Sequence, residues 1–175
     1  MKPIILFLLL VLVSFSGIAQ TNSAAEEDFI RNNVALRLEG NVTQIQQIGD
    51  FNEVHILQDN VQYAELLQRG DYNVIQTEMR GGANSLQVLQ EGEQNNYQLQ
   101  LEGSNNVLGV YQYGHNNVMV QEMDQTDDRR MYLLQRGNDN YLEYRGNDTY
   151  QPDLPLQITQ HGQGLQLIIN PSNHF

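Results

Sequence analysis

From Asn41 onward the chain alternates between inward-type and polar residues. Apolar or amide side chains recur at every second position in short runs: Asn41, Thr43, Ile45, Gln47, then Asn52, Val54, Ile56, Gln58. The next units repeat this as Gln62, Ala64, Leu66, Gln68 and Asn73, Ile75, Thr77, Met79, and again as Asn84, Leu86, Val88, Gln90 and Asn95, Tyr97, Leu99, Leu101. A fourth unit gives Asn106, Leu108, Val110, Gln112 and Asn117, Met119, Gln121, Met123. The residues between them are mostly polar, as at Glu53, His55, Gln76, Glu78, Gln98 and Gln100. A period of two predicts strands with one buried face.

The runs are punctuated by one segment, Gln-x-Gly-x-x-Asn, which reads QIGDFN, QRGDYN, QEGEQN, QYGHNN and QRGNDN. Its glycines, Gly49, Gly70, Gly92, Gly114 and Gly137, follow one another at a nearly even step of about 22 residues, the mark of a repeat architecture. A degraded sixth copy, QHGQGL, places Gly162 one slightly longer step on. Each unit is therefore read as strand, turn, strand. Gly permits positive φ in the turn, and Asn is expected to tolerate left-handed geometry and bond its own local backbone. A second turn closes each unit, at Asp59-Asn60, at 80–84, at 102–106 and at 123–128.

A unit of about 22 residues cannot bury its apolar face alone, and stacking solves this. The expectation is an all-β fold, a two-sheet β-solenoid with amyloid-like cross-β stacking, in which each strand pairs with its equivalent one unit on, about 4.8 Å away. Equivalent side chains then form columns. Gln47, Gln68, Gln90, Gln112, Gln135 and Gln160 become one amide ladder, and Asn52, Asn73, Asn95, Asn117 and Asn140 another. Between them runs an apolar column, Ile45, Leu66, Val88, Val110, Leu133, Ile158.

The ends differ from the middle. Residues 1–19 carry one Lys, an apolar run from Ile4 to Val13 and small residues before Gln20, the pattern of a signal peptide. Residues 20–31 are an acidic segment. The solenoid is expected over 32–170, beginning with a half unit (Asn32, Val34, Leu36, Leu38) and ending in a variant, more apolar repeat, with 171–175 as a tail. Terminal repeats that depart from the pattern act as caps in many solenoids. No other segment is apolar enough to form a transmembrane span after signal cleavage.

Charge narrows the function. Losing Lys2 with the signal moves the net charge from −12 to −13, with eight Arg against 21 acidic residues. Phosphate backbones need basic patches, so nucleic acid is excluded as a partner. With no Cys, no disulfide holds the exported chain.

The repeat resembles the curlin repeat of curli fibre subunits. Gln47, Gly49, Asn52 and Gln58 fit that motif throughout. The other four full copies keep Gln, Gly and Asn but carry Met79, Leu101, Met123 and Gly146 in place of the distal Gln. The similarity spans 32–170. It implies secretion through the periplasm to the cell surface, with periplasmic chaperones and an outer-membrane export pore as partners. It further implies self-assembly, with other curli-type subunits, into an extracellular functional-amyloid fibre (a fimbrium) serving adhesion and the biofilm matrix. The segment after the signal is acidic and not Gly-rich, unlike that of the family's major subunits. The irregular repeats favour a minor, nucleator-like subunit over the major one.

No catalytic constellation emerges. Asp50, Asp71 and Glu93 share one turn column, too irregular for calcium-binding repeats; stacked in register they are expected to slow premature assembly. His55, His115, His161 and His174 fall in different columns or the tail, which argues against a metal site. The sequence is read as no enzyme, with no cofactor. The alternative is a monomeric, capped β-solenoid acting as a cell-surface adhesin or ligand-binding module.

Overall fold

A computed structural model describes residues 41–60, 62–124, 127–146 and 155–170. The expected signal peptide, acidic segment, N-terminal half unit and C-terminal tail lie outside the described residues.

Among the described residues the strands in chain order are β1 Val42–Ile48, β2 Glu53–His55, β3 Gln62–Arg69, β4 Val74–Gln76, β5 Met79–Arg80, β6 Asn84–Glu93 and β7 Asn96–Tyr97. They continue with β8 Leu101–Glu102, β9 Val107–His115, β10 Val118–Met119, β11 Arg130–Asn138, β12 Tyr141–Glu143, β13 Leu156–Gln163 and β14 Gln166–Ile168. The strands before each turn form one six-stranded sheet, β1-β3-β6-β9-β11-β13. Those after it form a second, β2-β4-β7-β10-β12-β14, and β5 pairs with β8 in a small third sheet. All pairings are parallel. The molecule is a β-solenoid that advances one sequence repeat per coil, with pairs such as Gln68↔Gln90 and Gln90↔Gln112 directly opposed.

Alternation explains the core. In β3 the odd-numbered and even-numbered positions separate cleanly, with Gln62, Ala64, Leu66 and Gln68 buried and their neighbours half-buried. The first sheet contributes the columns Thr43-Ala64-Leu86-Leu108-Met131-Leu156 and Ile45-Leu66-Val88-Val110-Leu133-Ile158. Facing them, the second sheet contributes Val54-Ile75-Tyr97-Met119-Leu142-Leu167. Most of these side chains join one continuous apolar cluster, and burying each stabilises the fold by about 1.5–3 kcal/mol relative to exposure.

The second-sheet strands are shorter than their alternation suggests. The inward rhythm persists to Met79, Leu101 and Met123, but the backbone there has φ of 86°, 76° and 95° and bends into a return arch. Non-Gly residues enter that region at a cost of roughly 1–2 kcal/mol each. Complete burial of these three side chains offsets it. In the next coil the equivalent position is Gly146, also left-handed at φ 108° and bridged to Met123.

Candidate functional site

The candidate site is the arch that joins the two sheets at every Gln-x-Gly-x-x-Asn segment. The first-sheet strands run on through the Gly in β6, β9 and β11, so the reversal takes fewer residues than the motif contains. The motif glycines Gly49, Gly70, Gly92, Gly114 and Gly137 have φ between 104° and 122°, and a second left-handed residue stands before the Asn: Phe51, Tyr72, Gln94, Asn116 and Asp139 have φ between 54° and 57°. Gly164 takes the same place in the last coil at φ 62°. This corrects the expectation that the Asn itself is left-handed. None of the five motif asparagines has positive φ; Asn52, Asn95 and Asn117 do bond their own local backbone, at 3.3 to 3.4 Å, but their shortest hydrogen bonds run between coils.

Each glutamine donates an Nε2–H to the Oε1 of the glutamine one coil on. The distances are 2.7 Å for Gln47 to Gln68, 2.9 Å for Gln68 to Gln90 and 2.8 Å for Gln90 to Gln112. Gln112 to Gln135 is 2.9 Å and Gln135 to Gln160 is 2.8 Å. The same amide nitrogens also reach carbonyls across the arch, as Gln90 does to Val74 at 3.0 Å and Gln112 to Asn117 at 3.0 Å. The glutamine column thus fastens one sheet to the other as well as coil to coil.

The asparagine column is denser. Each Oδ1 accepts from both the backbone N–H and the Nδ2–H of the next asparagine, at 3.0 and 3.1 Å for Asn73 onto Asn52. Asn95 repeats this on Asn73, Asn117 on Asn95 and Asn140 on Asn117. The Nδ2 also donates to the motif glycine's carbonyl one coil on, 2.8 Å from Asn73 to Gly92 and 2.7 Å from Asn117 to Gly137. Side-chain amide donation along the two columns therefore runs in opposite senses. Because their side-chain amides are engaged, Gln68, Gln90, Gln112, Asn73, Asn95 and Asn117 are fully buried without the penalty an unpaired amide would carry.

The motif glycines have a second reason to be glycine. At Gly49, Gly70, Gly92, Gly114 and Gly137 an added Cβ would fall on the carbonyl of the motif glycine in the next coil, well inside contact distance. Gly162 has no coil above it among the described residues, and its nearest neighbour there is Leu165 Cδ1 at 2.9 Å.

A third amide column stands at the opposite arch, where alternation predicts rows but no ladder. Gln62 N–H donates to Asn41 Oδ1, Asn106 donates twice to Asn84 Oδ1, and Arg129 N–H donates to Asn106 Oδ1, all at 2.9 Å. The signal was present in the recurrence of Asn41, Asn84 and Asn106 in step with the motif. Inside the core, Tyr97 donates its hydroxyl to Gln121 at 2.6 Å, and burial pushes the Tyr97 phenol far up. On the outer face, burial and the nearby Glu65 carboxylate, 3.1 Å away, push Tyr63 up to about 12.

The acidic turn column is engaged as well as charged. Asp71 Oδ1 accepts the N–H of Asp50 at 2.7 Å, and the column is interrupted by His115, 3.8 Å from Glu93. Among the described residues no group of three or more His, Asp or Glu side chains is placed to hold a metal ion. No helix there is long and apolar enough to cross a membrane.

No family model, curated protein or solved structure matches the chain. Chemically the site is a repeating set of donors and acceptors, in which each coil is recognised by the next.

Proposed function

We propose that this chain is a secreted structural subunit of extracellular, curli-like functional-amyloid fibres, added end to end by β-stacking. The observation that carries the reading is the state of the ends. Among the described residues β1 and β2 form one end and β13 and β14 the other, each with a strand edge that pairs on one side only. Unpaired edges template further strands, and a head-to-tail contact that does not close makes a filament. Apolar side chains reach both end faces: Ile45, Val54 and Ile56 at one, Leu156, Leu167 and Ile169 at the other, all only partly buried. At the first end Gln47 offers an Oε1 to an incoming amide, the same contact that joins coils inside the chain.

The resemblance to curlin repeats supplies the biological setting of this reading: export through the periplasm by an outer-membrane pore with chaperone escort, co-assembly with other curli-type subunits, and a role in adhesion and the biofilm matrix. Irregular outer columns and a variant last coil favour a minor, nucleator-like subunit. One observation favours a second reading. Leu165 stands where every earlier coil has Asn, and it covers Gly162, which suits a capped, monomeric surface adhesin. Diluting the denatured chain into buffer and following thioflavin fluorescence with sedimentation separates the two. Fibre growth supports the subunit, whereas a folded monomer that stays small at high concentration supports the adhesin.

A further inference from the structure

We infer that Leu165 leaves the C-terminal face of the solenoid a poorly matched template, so that docking of the next chain's N-terminal face onto it is the slow step of assembly. This rests on the fibre-subunit reading above. Inside the chain, an arriving coil makes three hydrogen bonds to the asparagine below it. Its own asparagine gives a backbone N–H and an Nδ2–H to the Oδ1, as Asn117 does to Asn95 at 3.2 and 3.0 Å. Its glycine carbonyl accepts from the Nδ2, as Gly114 does from Asn95 at 2.8 Å.

At the last described coil the lower partner is Leu165. Leu165 itself completes one of these contacts downward, giving its N–H to Asn140 Oδ1 at 3.0 Å. Upward it has neither Oδ1 nor Nδ2, so none of the three is available to the next coil. Sterics point the same way. Where an added Cβ on each earlier motif glycine would meet the next glycine's carbonyl, at Gly162 it meets Leu165 Cδ1 and Cγ at 2.9 and 3.3 Å. The leucine side chain fills the slot the incoming carbonyl needs.

The glutamine column is not interrupted. Gln160 accepts from Gln135 at 2.8 Å and gives its amide to the carbonyls of Tyr141 and Leu165 at 3.1 and 2.9 Å, the cross-arch arrangement seen at Gln90 and Gln112, which also donate up the column. The C-terminal face is thus half matched: templating in the glutamine and apolar columns, blank and plugged in the asparagine column. A coil landing there buries an asparagine N–H and amide with no acceptor, which slows addition without abolishing it.

The test compares thioflavin-monitored growth and critical concentration of the chain with those of Leu165→Asn and Leu165→Ala, each diluted from denaturant. Leu165 is 43% exposed, so the variants are expected to fold, and far-ultraviolet circular dichroism checks this. Leu165→Asn restores both acceptor and donor and is expected to grow about tenfold faster at equal concentration. Leu165→Ala removes the plug alone and is expected to fall between. Fibres from all three at the same rate would overturn the inference and leave the fibre reading standing. Folded monomers from all three, with no fibres under any condition, would overturn the fibre reading and the inference with it.

Discussion

At the scale of single residues, the arch separates two demands that the motif letters merge. Positive φ and absence of a Cβ are both required at Gly114, where φ is 119° and the Gly137 carbonyl occupies the Cβ position. At Gly164 only φ, at 62°, is at issue, and nothing lies within 4 Å. Gly114→Ala is therefore expected to cost more than about 3 kcal/mol, and Gly164→Ala about 1 kcal/mol, measured by urea unfolding at concentrations too low for assembly. The need for Gly at the motif position was legible from its period. The second left-handed site was not, because of Phe51, Tyr72, Gln94, Asn116 and Asp139 only Asn116 and Asp139 favour that region by themselves, and the stacked backbone holds the other three there. Tyr63 gives a pH signature. Its folded pKa of about 12 lies above its ordinary value of 10.0, so the stability it contributes is complete below pH 10 and is lost as pH rises through 12. Thermal midpoints taken across that window are expected to fall less steeply in Tyr63→Phe, with Tyr97, raised by burial, and Tyr141, raised by its hydrogen bond to Glu143, carrying the remaining decline; an unchanged slope would contradict the assignment.

At the scale of the element, the ladder is a cooperative unit, and position along it matters. Asn95 lies mid-column and serves Asn73, Asn117 and the Gly114 carbonyl at once. Asn52 begins the described column and is only partly buried. Asn95→Leu is expected to destabilise by about 3–5 kcal/mol, since several buried groups lose partners together, and Asn52→Leu by about 1–2 kcal/mol; equal losses in urea unfolding would argue that the column is not cooperative. The first-sheet strands, their register and their inward columns could be read from alternation and period alone. The second-sheet strands could not be delimited that way. Side-chain alternation at Met79, Leu101 and Met123 survives in a backbone that has already left the extended region, and alternation records which side is buried rather than φ. The third amide column at Asn84 and Asn106 escaped for a related reason. Its Gly stands three residues before the Asn, as in the motif, but only at Gly81 and Gly103, and the coils on either side put Gln62 and Arg129 in the column.

At the scale of the whole molecule, two parallel sheets with columns running their full length leave an object whose ends resemble its interior. On the proposed reading, fibre formation is the continuation of that stacking past the chain's own coils, moderated at the C-terminal face by Leu165. This makes a mass prediction that separates coil-by-coil stacking from other cross-β assemblies. With six strands in each main sheet at about 4.8 Å each, one chain spans about 29 Å of fibre axis. A chain of 20.0 kDa, less about 2 kDa for the expected signal peptide, then gives a single filament of about 6 kDa per nm. The measurement to make is mass per unit length of single filaments by scanning transmission electron microscopy. The expected result is about 6 kDa per nm, the mass of a folded solenoid spread over its own stacked strands. A result of about 40 kDa per nm, that of one chain in each layer of about 4.8 Å, would mean that the solenoid unfolds to assemble and would contradict end-to-end stacking.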